Sequence, residues 1–422
     1  MAGIVNSDGR TGPDTEPAEI VSLARYRPFA LFWLSRVAAV AALQMQAVAV
    51  GWQIYALTGS ALDLGLVGLA QFTPSVLFML VAGHAADRYD RRLVLRLAQL
   101  VEGLATAALA YGTFTGSLTR ESIFALVFLI GLGRAFEAPT VLTFLAILVP
   151  PGLLSRAIAG SSSATQVATI GGPAIGGLLY ALSPTFTYAL CTTLFFASVI
   201  LLSFVRARFA PPERKPPDLA SLFAGITFVR RNPLILGAIS LDMFAVLLGG
   251  ATALLPIFAR DILETGPWGL GMLRAAPAVG ALVMAVMLAR LSFGRHAGRK
   301  MFLAVAVFGI ATLVFGLSTS FPLSLAALAV LGAADVVNVV VRQTIVQMQT
   351  PDEMRGRVTA VNTLFIGTSN QLGEFESGVL AAFVGAVAAV AIGGAGTLLI
   401  VALWMKLFPE LLNVDRIEGP RQ

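Results

Sequence analysis

In 422 residues the chain has one cysteine (Cys191), two histidines (His84 and His296) and three lysines (Lys215, Lys300 and Lys406). A single cysteine excludes an internal disulfide and a multi-cysteine metal site. Both histidines lie in basic stretches and Cys191 stands alone, so no nucleophile has a base beside it, which argues against a membrane enzyme. None of the lysines closes a glycine-rich Gly-Lys-Ser/Thr turn, so a phosphate-binding loop and an ATP-driven pump are not expected. No metal or cofactor is expected either. Charge is scarce as well: 12% of residues are charged, against about 25% in a soluble domain. Residues 1–19 are polar and lack an apolar core after a basic start. No cleavable signal peptide is expected, and the first apolar run is expected to serve as its own insertion signal.

Apolar residues, by contrast, make up 57% of the chain, and the mean hydropathy is +0.83. A soluble fold this apolar would lack polar surface, whereas lipid solvates apolar side chains. The runs also have spanning length, about 20 residues. Twelve spans are predicted: 28–57, 62–86, 92–115, 121–148, 156–182, 185–205, 233–259, 268–291, 300–317, 322–349, 357–384 and 387–408. The expected organisation is a tail (1–27), a six-helix bundle (28–205), a polar connector (206–232), a second six-helix bundle (233–408) and a tail (409–422).

The net charge of +6 does not indicate nucleic acid, because the basic residues recur in short clusters between apolar runs. With both termini cytoplasmic, the inner loops and tails take nearly all the Arg and Lys outside the spans. The outer loops hold only Arg120 and Arg260. That asymmetry predicts cytoplasmic termini and an even number of spans.

The chain also repeats at a spacing of about 200 residues. The stretch from Leu66 through Gln71 to Pro74 matches that from Leu270 through Arg274 to Pro277, with one residue fewer. The basic turn 87–92 lies opposite 295–300, Gly131 and Arg134 opposite Gly332 and Asp335, and Pro150 and Arg156 opposite Pro351 and Arg357. The constant order predicts an all-α integral membrane protein of two pseudo-symmetric six-helix bundles around a central cavity.

These residues resemble the major facilitator superfamily. Gly83-His84-Ala85-Ala86-Asp87-Arg88-Tyr89-Asp90-Arg91-Arg92 is similar to its motif A, with Asp90 where the family usually has glycine. Gly172-Pro173-Ala174-Ile175-Gly176-Gly177 resembles motif C of antiporters and drug exporters, with Ala168 and Ala159 in place of upstream glycines. Arg134 resembles the motif B arginine. The stretches 131–139, 351–358 and 373–378 resemble the branch that includes the enterobactin exporters. The resemblance implies a proton-coupled secondary transporter working by alternating access, with a bacterial inner-membrane location. It further implies a small organic cargo such as a siderophore or drug, and a gating latch formed by Gly83, Asp87, Arg88, Arg91 and Arg92. Import, a lipid-type substrate, or a transport-inactive sensor are the alternatives. The protein is expected to act as a monomer.

Charge within the apolar runs is the sharper signal, since it costs about 2.5–3.5 kcal/mol per residue at a helix centre. Arg36, Glu102, Arg134, Glu137, Asp242, Arg274, Asp335, Arg342, Glu374 and Glu376 are so placed. The resemblance puts Arg36, Arg134, Glu137, Asp242, Asp335 and Arg342 on spans 1, 4, 7 and 10, which line the family's cavity. Glu137, Asp242 and Asp335 are the candidates to carry a coupled proton, with Arg36, Arg134 and Arg342 as charge partners. Arg134 and Asp335 are expected to meet across the cavity, both near the midplane. Glu102, Glu374 and Glu376 read as structural. Gln44, Gln71, Phe136 and Phe244 are candidate cavity residues. Asp87 is expected to cap the third span, and Gly172, Pro173, Gly176 and Gly177 to allow close approach or bending of the fifth.

Overall fold

The computed structural model describes residues 26–205, 219–290 and 296–414. Most of the N-terminal tail, the first half of the connector, Arg295 and residues 415–422 lie outside them. Every regular element among the described residues is helical. The first half holds α1 (Arg27–Thr58), α2 (Ala61–Leu77), α3 (Met79–Arg88), α4 (Arg91–Thr115), α5 (Arg120–Leu148), α6 (Leu154–Leu182) and α7 (Pro184–Phe204). Next comes α8 (Leu219–Arg231). The second half holds α9 (Pro233–Leu248), α10 (Leu255–Ile257), α11 (Gly266–Arg290), α12 (Ala297–Leu317), α13 (Phe321–Gln349), α14 (Asp352–Val384), α15 (Ala386–Leu407) and α16 (Pro409–Leu412). Nine described helices are long and apolar enough to cross a membrane, and the bent pair α2–α3 makes a tenth. The more polar α6 and α14, of 29 and 33 residues, have the length to complete twelve.

Local chemistry sets the boundaries. α1 begins with proline in its first turn and ends at Gly59, whose φ of 61° closes the helix with a bond to the Tyr55 carbonyl. Thr119 and Ser122 form a capping box on α5. Asn232 caps α9 through the amides of Leu234 and Ile235. The capping expected of Asp87 falls instead to Asp90, which accepts from the Arg92 amide at 2.9 Å. Asp87 lies inside α3, one turn too early to cap α4. The aspartate that departs from the motif A glycine is therefore the helix cap.

Two predicted spans are broken. The second bends by 55° at Phe78, between α2 and α3, one turn past Pro74. The seventh stops at Gly249, and the chain continues through a 3₁₀ turn (Ala251–Leu254), α10 and a π turn (Phe258–Ile262). Gly250 lies on the Gly373 carbonyl, which an added Cβ would approach to 2.4 Å. The connector is also not wholly irregular: α8 packs on α14, with Gly225 against the Arg357 carbonyl.

The halves share one packing plan. In the first, α1 packs on α6 and α7, α4 on α5 and α7, and α2 on α5. In the second, α9 packs on α14 and α15, α12 on α13 and α15, and α11 on α13. These are the same contacts under a shift of six spans. The halves join through α2 on α14 and α6 on α11, the second span of each against the fifth of the other. That is the pattern of two-fold pseudo-symmetry.

The join is tight at the end of the bundle away from the termini, here called the distal end. Added Cβ atoms at Gly65 and Gly378 would come within 3.2 Å and 2.7 Å of the opposing glycine's Cα. At Gly177 and Gly271 the corresponding distances are 2.8 Å and 3.0 Å. Gly172 and Gly176 give α1 the same access to α6 at Gln44 and Met45. Tyr55 Oη donates to Asp261 Oδ2, and Arg260 donates to the Tyr55 carbonyl at 3.3 Å. Beneath this polar clasp one apolar cluster crosses the join, with Val50 and Ile54 packed in the same core as Leu254, Phe258 and Leu273.

Replacing Asp90 by alanine removes the cap of α4 and is expected to lower stability by about 1 kcal/mol, whereas Asp90→Gly costs only a few tenths. Thermal melts of the three detergent-solubilised proteins check the order.

Candidate functional site

The charged residues of the spans fall into three groups. The first lies within the N-terminal half. Arg36 Nη1 on α1 donates to Glu137 Oε1 on α5 at 2.5 Å. Gln99 on α4 donates to the same oxygen at 3.1 Å. Gln99 in turn accepts from Ser198 on α7 at 2.7 Å, and Ser198 lies 2.6 Å from Ser35 Oγ. One carboxylate thus ties four helices together. Glu102, one turn along α4 from Gln99, is buried with its Oε1 unpartnered. Gly133 of α5 makes room for it, since a Cβ there would lie 2.6 Å from Glu102 Cγ.

The second group lies within the C-terminal half. Asp242 on α9 accepts from Arg342 and, at 2.6 Å, from Asn338, both on α13. Asp242 and Arg342 are 3% and 1% exposed, so this pair is fully removed from solvent. Asp335 lines a small cavity beside them with Asn338, Ala304, Val305 and Phe308. In each half, then, an ion pair joins the first span to the fourth, with the signs reversed between halves; the Asp242–Arg342 pair is buried and the Arg36–Glu137 pair partly buried.

This arrangement corrects the expected Arg134–Asp335 pairing. No ion pair or hydrogen bond joins them among the described residues. α13 packs on α11 and α12, and Asp335 faces a space inside its own half. Arg134 stands within electrostatic reach of Glu102 and Glu374 instead.

The third group lines the central cavity between the halves, with an empty volume of ≈ 580 Å³. Its polar residues are Gln46 on α1, Gln71 on α2, Arg274 on α11 and Glu374 on α14; the remaining wall is apolar, including Leu43, Val50, Val67 and Ile130. Of the expected cavity residues, Gln71 is here. Gln44 instead donates to Thr169 of α6 at 3.3 Å. Phe136 packs near Phe78, and Phe244 packs on Trp404 inside the second half. Sequence reasoning gave Arg274 no role in the site and read Glu374 as structural; the available signal was the placement of both charges within apolar runs.

The motif A residues sit on α3 and the start of α4. α3 packs chiefly on α5, with lesser contacts to α2 and α4. Gly83 faces open space, Arg91 is buried, and Arg92 donates to the Val205 carbonyl at 2.9 Å. The stretch is thus anchored to its own half.

Two pseudo-symmetric helical bundles enclosing a mixed polar and apolar cavity define a membrane transporter, not an enzyme. The family described as transmembrane secretion effector matches residues 21–418. The chain belongs to that family, within the major facilitator superfamily. It is 29% identical to the enterobactin exporter EntS of Shigella dysenteriae serotype 1 (strain Sd197), over 93% of this chain and 94% of that protein. The exporter of the same name from Escherichia coli O1:K1 / APEC is equally similar, at 29% over the same shares. Among solved structures, the nucleoside transporter NupG superposes with a TM-score of 0.73 at 12% identity, covering 90% of this chain and 100% of that one. A bacterial homologue of the human lysosomal transporter Spinster superposes with a TM-score of 0.70 at 15% identity, covering 94% and 99%. The protein is accordingly a multi-pass membrane transporter that acts in the bilayer on small-molecule substrates.

Removing one partner of a buried ion pair leaves the other charge uncompensated. Arg342→Met is expected to lower stability by about 3–5 kcal/mol, and adding Asp242→Leu to restore most of the loss. Unfolding of the single and double variants in mixed micelles measures the difference.

Proposed function

We propose that the protein is a proton-coupled exporter that works by alternating access as a monomer in a bacterial inner membrane, both termini cytoplasmic. The observation that carries this reading is the pair of sign-reversed ion pairs, each binding the first span of a half to its fourth. Binding or release of a proton at Glu137 or Asp242 would change the charge balance that holds these helices, while the halves part at the distal glycine contacts of α2 with α14 and α6 with α11. Asp335, beside the Asp242 pair, is a third candidate.

Export is favoured by the family's secretion role, by the similarity to enterobactin exporters and by the motif C-like segment in α6. Cytoplasmic termini are supported by the clustering of Arg and Lys at the termini end. At the distal end Arg120 pairs with Asp63 at 2.6 Å and Arg260 lies beside Asp261, so both basic residues there have acidic partners. The clasp between Tyr55 and Asp261 and the glycine contacts close the distal end, so export requires these contacts to part. The Gly83–Arg92 stretch would latch the halves on the opposite side in the alternate state.

Inverted proteoliposomes under an imposed proton gradient test the coupling, with enterobactin as probe. Gradient-driven accumulation is expected for the wild type and is expected to be lost in Glu137→Gln or Asp335→Asn. If both variants accumulate the probe like the wild type, the coupling assignment is wrong. Alternating access has its own test. Oxidation of a Tyr55→Cys/Asp261→Cys pair is expected to arrest transport and reduction to restore it. The native Cys191 is wholly buried and does not interfere.

A further inference from the structure

The central cavity holds two opposite charges that do not touch. Arg274 and Glu374 both line it, yet among the described residues neither takes part in a hydrogen bond or an ion pair. They are near enough to act on each other electrostatically. Glu374 lies against α2: a Cβ on Gly68 would come 2.9 Å from its Oε2. From the distal ends of their helices, Arg274 lies about 12 Å deep and Glu374 about 15 Å, at 1.5 Å per residue. Gln71 and Gln46 fall at about 15 Å and 18 Å by the same measure. The four polar groups therefore form one belt, with apolar wall around it.

A guanidinium is charged at any accessible pH and carries five donors suited to carboxylate, phenolate or sulfonate oxygens. In an apolar cavity an ionisable side chain without a protein partner is kept at a cost of a few kcal/mol, which marks it as functional. The repeat sharpens the point. The equivalent position of the first half, Gly68, stands three residues past Gly65 as Arg274 stands three past Gly271; it faces the same cavity and is neutral. The fold therefore tolerates an uncharged residue at this position, and the charge of Arg274 has a purpose other than packing. The second charge near Arg274, Glu374, also answers to Arg134, so it does not neutralise Arg274 alone.

From this we infer that the cavity is a binding site for amphipathic organic anions, with Arg274 holding the anionic group, Gln46 and Gln71 accepting or donating beside it, and the apolar wall holding the body. Glu374 sets the selectivity: it repels a second negative charge and disfavours ligands whose anion lies toward α2. The inference rests on the reading of this cavity as the transport site.

The test uses a matched pair of fluorescent probes, 1-pyrenebutyrate and 1-pyrenebutanol, which share the apolar body and differ in charge. Binding to the purified full-length protein in detergent is followed by energy transfer from tryptophan. Pyrenebutyrate is expected to bind about tenfold more tightly than the alcohol, the scale of one hydrogen-bonded charge. Arg274→Gln, which removes the charge and keeps a polar side chain, is expected to erase that ratio. Arg274→Lys should retain most of it, and Glu374→Gln should increase it. Equal binding of the two probes by the wild type, or an unchanged ratio in Arg274→Gln, overturns the assignment. Enterobactin transport by wild-type vesicles is scored separately. Charge discrimination without transport keeps the anion site and removes the export reading; transport without discrimination does the reverse.

Discussion

The Arg36–Glu137 and Asp242–Arg342 pairs govern the rest of the architecture, because a charge placed among lipid-facing helices is expensive until it is paired within the protein. Each pair joins the first and fourth spans of its half. In the N-terminal half the pair extends through Gln99 and Ser198 to the third and sixth spans, so the polar network is also the internal brace of the bundle. In the C-terminal half Asn338 completes the arrangement around Asp242. With these ion pairs held inside each half, the interface between halves is left to small residues, apolar contacts and a thin polar clasp.

That division suits a molecule whose halves move against each other. The ionic contacts are internal to one half, where the proposed proton exchange would act on them. The contacts that would part in the proposed cycle are glycine against glycine, as at Gly65 with Gly378 and Gly177 with Gly271, or a hydrogen bond such as that of Tyr55 with Asp261. Close packing of helix backbones without long side chains lets two rods pivot with little repacking. The irregular backbone of the seventh span, from Gly249 to Ile262, lies at the same join; it is tolerated at membrane depth because it is covered by protein.

The central cavity breaks the symmetry of the scaffold. The repeat places Gly68 and Arg274, each three residues past an interface glycine, at equivalent positions facing one space, but only one is charged. Glu374 adds a second asymmetry from the fifth span of the C-terminal half. A symmetric frame provides two equivalent rocking partners, while unequal side chains at equivalent positions provide a chemical preference. The same logic appears in motif A, where Asp90 replaces the usual glycine and caps α4 without altering the course of the chain.

Length, apolarity and the order of the repeats were sufficient to assign the all-helical membrane class and the two-bundle plan, because spanning length and lipid solvation act on each segment separately. The positions of the charged residues were equally legible. Their partners were not. Arg134 and Asp335 look opposed in a linear repeat, yet the rotation of each helix about its axis turns Asp335 into its own bundle and leaves Arg134 near Glu102 and Glu374. The same rotation brought Glu374 and Arg274 into the cavity from helices that seemed peripheral, and kept Phe244 out of it. The break at Gly249–Gly250 was likewise hidden, since only the approach of Gly373 makes the missing side chains necessary. Sequence alone determined the membrane-spanning helical class and the charge each span carries; the tertiary structure decided which charges meet, because azimuth about a helix axis is set by packing against neighbours and not by spacing along the chain.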